Sequence, residues 1–477
     1  LELTELGRAG RSPELPLKVA LPADALVLRK WLRVLPGRRY VALADWQGRQ
    51  VLAKLLVGHK AERQFRREQD GARLLAGRGL ATPTLLAADY QQGIGGWLLF
   101  DYLDEAVSLG VRWAAVAGEA PLSGEQEQVL GTALEAVGEM HAHGLWQEDL
   151  HLDNLLWQNN QLFWVDGGSI RTGEDDRPLT REQSAANMGV FFAQLPADFD
   201  LFTDRLLDSY RRGNPGVHLD LPEVQRQVAL ARRWRLRDFL DKLGRDCSLF
   251  SVKRGATELR IVCRGEAEIL APLLAAPDRF IAAGQILKAG GSATVARVEI
   301  DGRALVVKRY NIKGFGHWLR RCWRPTRAWH SWLEGNRLVF LGIPTARPLA
   351  MLEMRTCWLR CRAYLVLECL EGENILTRFA PHEDGAPPED ELVGVEGLFV
   401  ALQRERISHG DMKGTNLIRH DGRWALIDLD AMRQHGTEHT FARAFAADRA
   451  RFLDNWPTGS TLRRLLDERL PRVSRAF

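Results

Sequence analysis

Two short stretches of this 477-residue chain carry residues whose types and spacing suit one kind of chemistry. The first reads Gln147-Glu148-Asp149-Leu150-His151-Leu152-Asp153-Asn154, followed by Asp166-Gly167-Gly168. The second reads His409-Gly410-Asp411-Met412-Lys413-Gly414-Thr415-Asn416, followed by Asp428-Leu429-Asp430. In both, Asn follows the first Asp by five residues and a further Asp follows that Asn by twelve. A loop Asp, a loop Asn and an Asp at a strand end are what phosphoryl transfer from Mg-ATP requires. Asp149 and Asp411 would orient and deprotonate an acceptor hydroxyl, while Asn154 with Asp166, and Asn416 with Asp428, would hold Mg²⁺. One such match could be accidental; two with the same internal spacing argue for a repeated unit.

Each loop needs a lysine upstream to pair phosphates. Lys54 and Lys308 both lie on apolar, strand-like runs, where a lysine is costly without an anionic partner. Their separations from the loop Asp are similar, 95 residues to Asp149 and 103 to Asp411. Such a lysine needs a helical acid. In the first half Glu68 fits, with Glu62 as the alternative. In the second half Ser331 falls nearest the place of Glu68, and Glu334, three residues on and on the same helix face, is the substitute. Gly290, Gly291 and Ser292 would let backbone N–H groups approach phosphates. The first half offers Arg38-Arg39-Tyr40-Val41 there, with no glycine inside the expected turn, which makes ATP binding surer in the second half. Lys413 can reach a transferring phosphate, and His151 occupies the corresponding place in the first loop. Glu148, beside Asp149, would hinder a general base if it pointed inward.

The positioning elements recur in the same order. In the first half, Tyr40–Ala44 and Gln50–Leu56 pair around a Gln47-Gly48 turn. A helix from about Ala61 to Ala76, a Gly-Leu-Ala-Thr-Pro turn, a strand at Trp97–Phe100 and a helix from about Gly124 to His143 follow. In the second half the counterparts are strands at Ala304–Lys308 and Ala363–Glu368, a Trp- and Arg-rich helix from about Trp318 to Leu341, a Gly342-Ile343-Pro344-Thr345 turn and a helix near Leu392–Arg404. Residues 180–245 read as helices. The expected architecture is α+β: two tandem bilobal protein-kinase-like units, 15–240 and 241–477, each a β-rich lobe followed by an α-rich lobe.

Composition sets bounds. Apolar residues make up 45% and charged residues 26%, which is globular material. The formal net charge is only +4, which leaves out a strongly basic nucleic-acid arm. The six cysteines all lie in the second half, in no disulfide or zinc pattern, as expected of free thiols in a reducing compartment. Cys357 and Cys361 flank an apolar run whose spacing would put both on one face. No apolar run is long enough to span a bilayer. The run from Lys313 to Arg327 interleaves arginine with tryptophan, which suits phosphate recognition and a membrane boundary. No nucleic-acid-binding module accompanies it.

Residues Arg309 to Gly314, the Arg-rich helix, Gly342 to Ala350, and His409-Gly410-Asp411 with Asn416 resemble the lipopolysaccharide core kinases, the enzymes related to Kdo kinase and the heptose kinases. The resemblance covers roughly 280–430. The first half looks like a remoter relative, resembling aminoglycoside and choline phosphotransferases more nearly in its Asp-Leu-His-x-x-Asn loop. The resemblance implies a protein-kinase-like fold, ATP and Mg²⁺ as cofactors, and phosphorylation of a Kdo or heptose hydroxyl in a lipid-linked core oligosaccharide. It also implies a peripheral position on the cytoplasmic face of the bacterial inner membrane. The rival expectations are a soluble small-molecule or protein kinase of the same fold, and a pseudokinase scaffold.

Overall fold

The computed structural model describes residues 2–11, 13–21, 25–173, 177–311 and 322–473. The chain is mixed α+β with antiparallel sheets, and it divides into two compact units, Leu1–Trp234 and Arg235–Phe477. The division falls inside the helix Leu221–Lys242.

The first unit opens with a six-stranded antiparallel sheet. Its spatial order is Leu17–Ala20, Ala25–Leu35, Arg39–Trp46, Arg49–Leu56, Gly95–Asp101, Leu85–Gln91. Side chains alternate faces along a strand. Tyr40, Ala42, Ala44, Val51, Ala53 and Leu55 therefore share one buried face with Leu3 and Leu6. Leu56, Leu98 and Phe100 share the other with Ala61, Phe65 and Ala72 of the helix Ala61–Gly77. The hairpin turn is Gln47-Gly48, both residues at positive φ (50° and 77°), as a tight turn following right-handed strand twist requires. A helical part follows, centred on Gly124–Ala142, whose Leu130, Ala133, Leu134, Val137 and Met140 are fully buried. The expected helices of 180–245 are Arg181–Phe192, Thr203–Gly213 and Leu221–Lys242.

The second unit repeats this plan with additions. Its seven-stranded antiparallel sheet runs Phe250–Arg254, Glu258–Cys263, Pro348–Thr356, Leu359–Glu368, Arg303–Tyr310, Ala293–Ile300, Gln285–Ala289. The two leading strands extend the edge opposite to the one that Leu17–Ala20 extends in the first unit. The helix Arg327–Phe340 starts at Thr326, whose hydroxyl accepts from Trp329 N and caps the first turn. The expected helix from Trp318 thus starts later, and residues 312–321, which hold most of the Arg–Trp run, lie outside the described residues. The helix Glu389–Arg404 and the helix Glu438–Leu453 bury Leu398, Phe399, Phe441, Phe445 and Phe452 together.

The paired-cysteine reading is corrected. Cys357 sits in the hairpin turn at φ 49°, not on the strand, so it does not share a strand face with Cys361. None of the six cysteines is joined in a disulfide. No helix among the described residues is long and apolar enough to cross a membrane.

Candidate active site

Sheet register sets both lysines alike. Lys54 lies between Val41 on one neighbouring strand and Leu98 on the other. Lys308 lies between Val295 and Leu365. Each residue is only 8% exposed. An ammonium there costs several kcal/mol unless a carboxylate compensates.

In the first unit Glu68 supplies that carboxylate, with Lys54 Nζ 2.5 Å from its Oε2. Glu68 lies on the helix face that also buries Phe65, Ala72 and Leu75, the i, i+4 and i+7 spacing that turns one stripe inward. Glu62 faces outward and pairs with Arg66. A second cation joins the cluster. Arg39 lies 3.4 Å from Glu68 Oε1 and 3.7 Å from Asp166 Oδ1, and Lys54 is 3.6 Å from that same oxygen. Burial pushes the Asp166 carboxyl up, but Lys54, Arg39 and Arg33 outweigh it and hold it below the usual range.

The second unit departs from expectation. Glu334 is buried but faces Arg337, 2.8 Å away, and forms no ion pair with Lys308. Lys308 instead meets two loop acids, Asp428 at 2.5 Å and Asp430 at 2.9 Å. Ser331 holds the helix position of Glu68, and its hydroxyl donates to Asp430 Oδ1 at 2.7 Å. Tyr310 donates to the same oxygen at 2.7 Å, and Arg327 pairs with Oδ2. Burial acts to raise the Asp430 carboxyl, yet Lys308 and these donors hold it down at about 2.

The two loops share one defining bond. Asn154 Nδ2 donates to Asp149 O at 2.8 Å, and Asn416 Nδ2 donates to Asp411 O at 2.9 Å. These bonds fix each amide and reserve its Oδ1 for another partner. Gln147 Nε2 donates to Val165 O, and His409 Nε2 contacts Ile427 O, so each base loop is tied to the residue before its second Asp. Asp166 and Asp428 both adopt left-handed backbone, φ 64° and 60°, a conformation a non-glycine residue holds only when its surroundings enforce it. Thr82 and Thr345 each donate to the carbonyl of a following strand, Trp164 O and Leu426 O, which anchors the turn after the helix in both units.

Around the bases the units differ. Lys413 Nζ lies 2.8 Å from Asp411 and Arg451 lies 3.9 Å from it. Burial acts upward on Asp411, but Lys413 prevails and holds it below the ordinary carboxylate range. The Asp149 side chain is 75% exposed, and His151 approaches it to 3.7 Å. Glu148 does not point at Asp149: Arg67 at 2.6 Å and Arg171 at 2.5 Å hold it aside. In the second unit Asp448 accepts from the backbone N–H of His409 and Gly410, at 2.6 and 2.9 Å. Burial nonetheless pushes Asp448 up to about 6 and pushes His409 down.

The expected phosphate loops also need one correction. The turn of the first unit, between Ala25–Leu35 and Arg39–Trp46, does contain a glycine, Gly37, at φ 68°. The expected turn lay one residue too far along, so the contrast in glycine content between the units does not hold. In the second unit Gly290, Gly291 and Ser292 form the turn before Ala293, and Asn311 latches it by donating to Gly290 O at 3.0 Å.

Asn154 with Asp166, and Asn416 with Asp428, offer hard oxygen donors, two residues to a site. That set fits Mg²⁺, which keeps several waters and takes one or two carboxylates alongside substrate phosphates. Among the described residues, no cluster of three or more His, Cys, Asp or Glu side chains is placed to hold an ion by itself.

No protein-family model matches the sequence, and no curated protein matches it. Among solved structures, one titled "WaaP in complex with acyl carrier protein" is similar over 44% of this chain and 88% of that chain, at 21% identity and a TM-score of 0.33. A likeness at that TM-score fixes neither fold nor activity.

Sequence reasoning missed Asp430, Arg39 and Asp448. Asp430 stands two residues after Asp428, on the loop, whereas the lysine's acid is expected on the helix. Arg39 was placed in a turn and stands instead at the start of a strand. Asp448 lies on a helix remote in sequence, and nothing in its local pattern marks it.

Proposed function

We propose that this chain is a tandem kinase-like phosphotransferase that moves a phosphoryl group from ATP to a sugar hydroxyl of a lipid-linked lipopolysaccharide inner core, with the second unit as the principal catalyst. The observation that carries the reading is repetition. Both units hold a buried strand lysine on a carboxylate, a loop Asp, an Asn tied to that Asp's carbonyl, and a left-handed Asp following it. The substrate class rests on the resemblance of 280–430 to the core kinases, and a lipid-anchored acceptor implies peripheral attachment to the cytoplasmic face of the inner membrane.

In this reading Lys308 binds the α- and β-phosphates under the Gly290–Ser292 turn. Mg²⁺, held by Asn416 and Asp428, would neutralise charge developing on the transferred group. Asp411 accepts the proton of the sugar hydroxyl, and Lys413 reaches the moving phosphate. Lys413 holds Asp411 below the ordinary carboxylate range, which favours its role in orienting the hydroxyl as a fixed acceptor over strong proton abstraction.

For the first unit a second reading has its own observation. Arg39 adds a second cation beside Asp166, its metal-ligand candidate, where Asp428 pairs with Lys308, and Asp149 lies widely exposed. That favours a regulatory or scaffolding role there.

The test is mass spectrometry of purified, dephosphorylated core lipopolysaccharide incubated with Mg-ATP and the parent, Asp149→Ala, Asp411→Ala or the double variant. One addition of about 80 daltons, the mass of a phosphoryl group, lost only with Asp411→Ala, is the expected result. Two additions, each lost with one variant, would make both units kinases. No addition from the parent overturns the substrate assignment.

A further inference from the structure

Each buried lysine is held by an acid that comes from a different element in each unit. Counting back from the glycine that ends the helix, Glu68 and Ser331 occupy the same place, eleven residues before Gly79 and Gly342. Counting forward from the left-handed Asp, Gly168 and Asp430 occupy the same place, two residues after Asp166 and Asp428.

The two pairs fit together in opposite senses. In the first unit the acid is on the helix, and a Cβ at Gly168 would stand 2.9 Å from Glu68 Oε1, so the loop must be bare. In the second unit the acid is on the loop, and the helix offers only the short hydroxyl of Ser331, which donates to it. Asp430 is not free for a cation. Its Oδ1 takes Lys308, Ser331 and Tyr310, and Arg327 holds its Oδ2. Glu334, the other acid on this helix, is occupied by Arg337.

We propose that Asp430 is the positioning residue that does for Lys308 what Glu68 does for Lys54, and that Glu68/Gly168 and Ser331/Asp430 are interchangeable solutions. This rests on reading the second unit as a nucleotide site. In this structure Lys308 stands 2.5 Å from Asp428 and 2.9 Å from Asp430, so Asp430 is the acid that keeps hold of the lysine when Asp428 is given to the metal.

The experiment is a four-protein cycle in the full chain carrying Lys54→Met, which silences the first lysine. The proteins are the parent, Asp430→Gly, Ser331→Glu and the double variant. Mg-ATP affinity is read by calorimetry, and melting temperature is read on the same samples. Asp430→Gly should weaken Mg-ATP binding by at least roughly tenfold, the factor that 1.4 kcal/mol produces. Ser331→Glu alone should also weaken it, because a third carboxylate then crowds a lysine that already meets Asp428 and Asp430. The double variant should bind within about threefold of the parent, roughly 0.6 kcal/mol by the same conversion. A substitution harmful beside Asp430 and restorative without it is a reversal that general damage to the fold does not give.

If the parent binds Mg-ATP and the double variant is no better than Asp430→Gly, the assignment is overturned and the kinase reading stands. If the parent binds no Mg-ATP, the kinase reading of this unit fails and melting decides the assignment. The same reversal in melting temperature, abolished by Lys308→Met, supports it; additive losses overturn it.

Discussion

In the first unit the helix that carries the acid and the loop that carries the left-handed Asp meet backbone to backbone. A Cβ on Gly71 would lie 1.8 Å from Gly167 O, closer than any atom can sit. In the second unit the same two places hold Glu334 and Leu429, both with full side chains. The helix there instead takes its close approach one residue later, at Gly335 against Pro348, where a Cβ would stand 2.5 Å from Cγ. Where the backbones touch, a helical glutamate reaches the lysine past a bare loop. Where side chains fill the space, the loop delivers the acid itself. What is held constant is the charge around the lysine, not the element that supplies it.

The largest effect that would sharpen this comparison is catalytic. Asp411→Asn should lower turnover by about 10²–10⁴-fold, as loss of a general base does. Asp149→Asn should leave core-sugar phosphorylation within about threefold of the parent. Equal losses, measured with radiolabelled ATP, would erase the ranking of the units.

A packing effect comes next. Gly71→Ala should cost the first unit about 3 kcal/mol, because backbone on both sides must move to admit one methyl. Gly291→Ala, around which a Cβ meets nothing within 4 Å, should stay within about 0.5 kcal/mol. Urea unfolding followed by intrinsic tryptophan fluorescence separates the two, and a small cost at Gly71 would refute the tight contact.

The third test is pH. Asp448 is raised in the folded state, to about 6 from 3.8. Between those values the folded chain binds more protons than the unfolded one, so its contribution to stability is present below about pH 4 and is lost as pH rises through about 6. The stability of the parent relative to Asp448→Asn should therefore increase by about 2–3 kcal/mol as pH falls from 7 to 4. A pH-independent difference would show that burial does not raise this group. In the first unit neutral Asn187 ties the corresponding helix to the loop by donating to Gln147 O.

The smallest effect is at Glu148, whose partners Arg67 and Arg171 sit at the surface. Glu148→Gln should change melting by less than about 1 kcal/mol, the usual worth of exposed pairs. A larger loss would mean that the pairs brace the base loop.

The elements were legible because their signals are local. The apolar run in Arg49–Leu56, the helical stripe through Phe65, Glu68, Ala72 and Leu75, and the glycine ending each helix can be read within a few residues. The loop residues were legible from spacing, because a short segment fixes which atoms can meet. Asp430 was not, because its role depends on how far the helix stands from the loop, which is a property of packing. The Gly37 turn was missed by one residue, since Arg38 and Arg39 carry the more conspicuous charge. The leading strands Phe250–Arg254 and Glu258–Cys263 were also missed, because charged residues interrupt their alternation and only pairing with Pro348–Thr356 makes the second of them a sheet strand.

The opposite placement of the acid in the two units also restricts how the gene encoding them can recombine with itself. A crossover between the two halves falling after the helix and before the loop would produce one unit with Glu and Asp facing a single lysine. The reciprocal product would have Ser and Gly, and a buried lysine whose only remaining acid is the metal ligand. Either product is impaired at birth, so exchange between the halves survives only when helix and loop travel together. Two copies under that constraint drift apart as whole cassettes, and the mismatch between them guards each against being overwritten by the other.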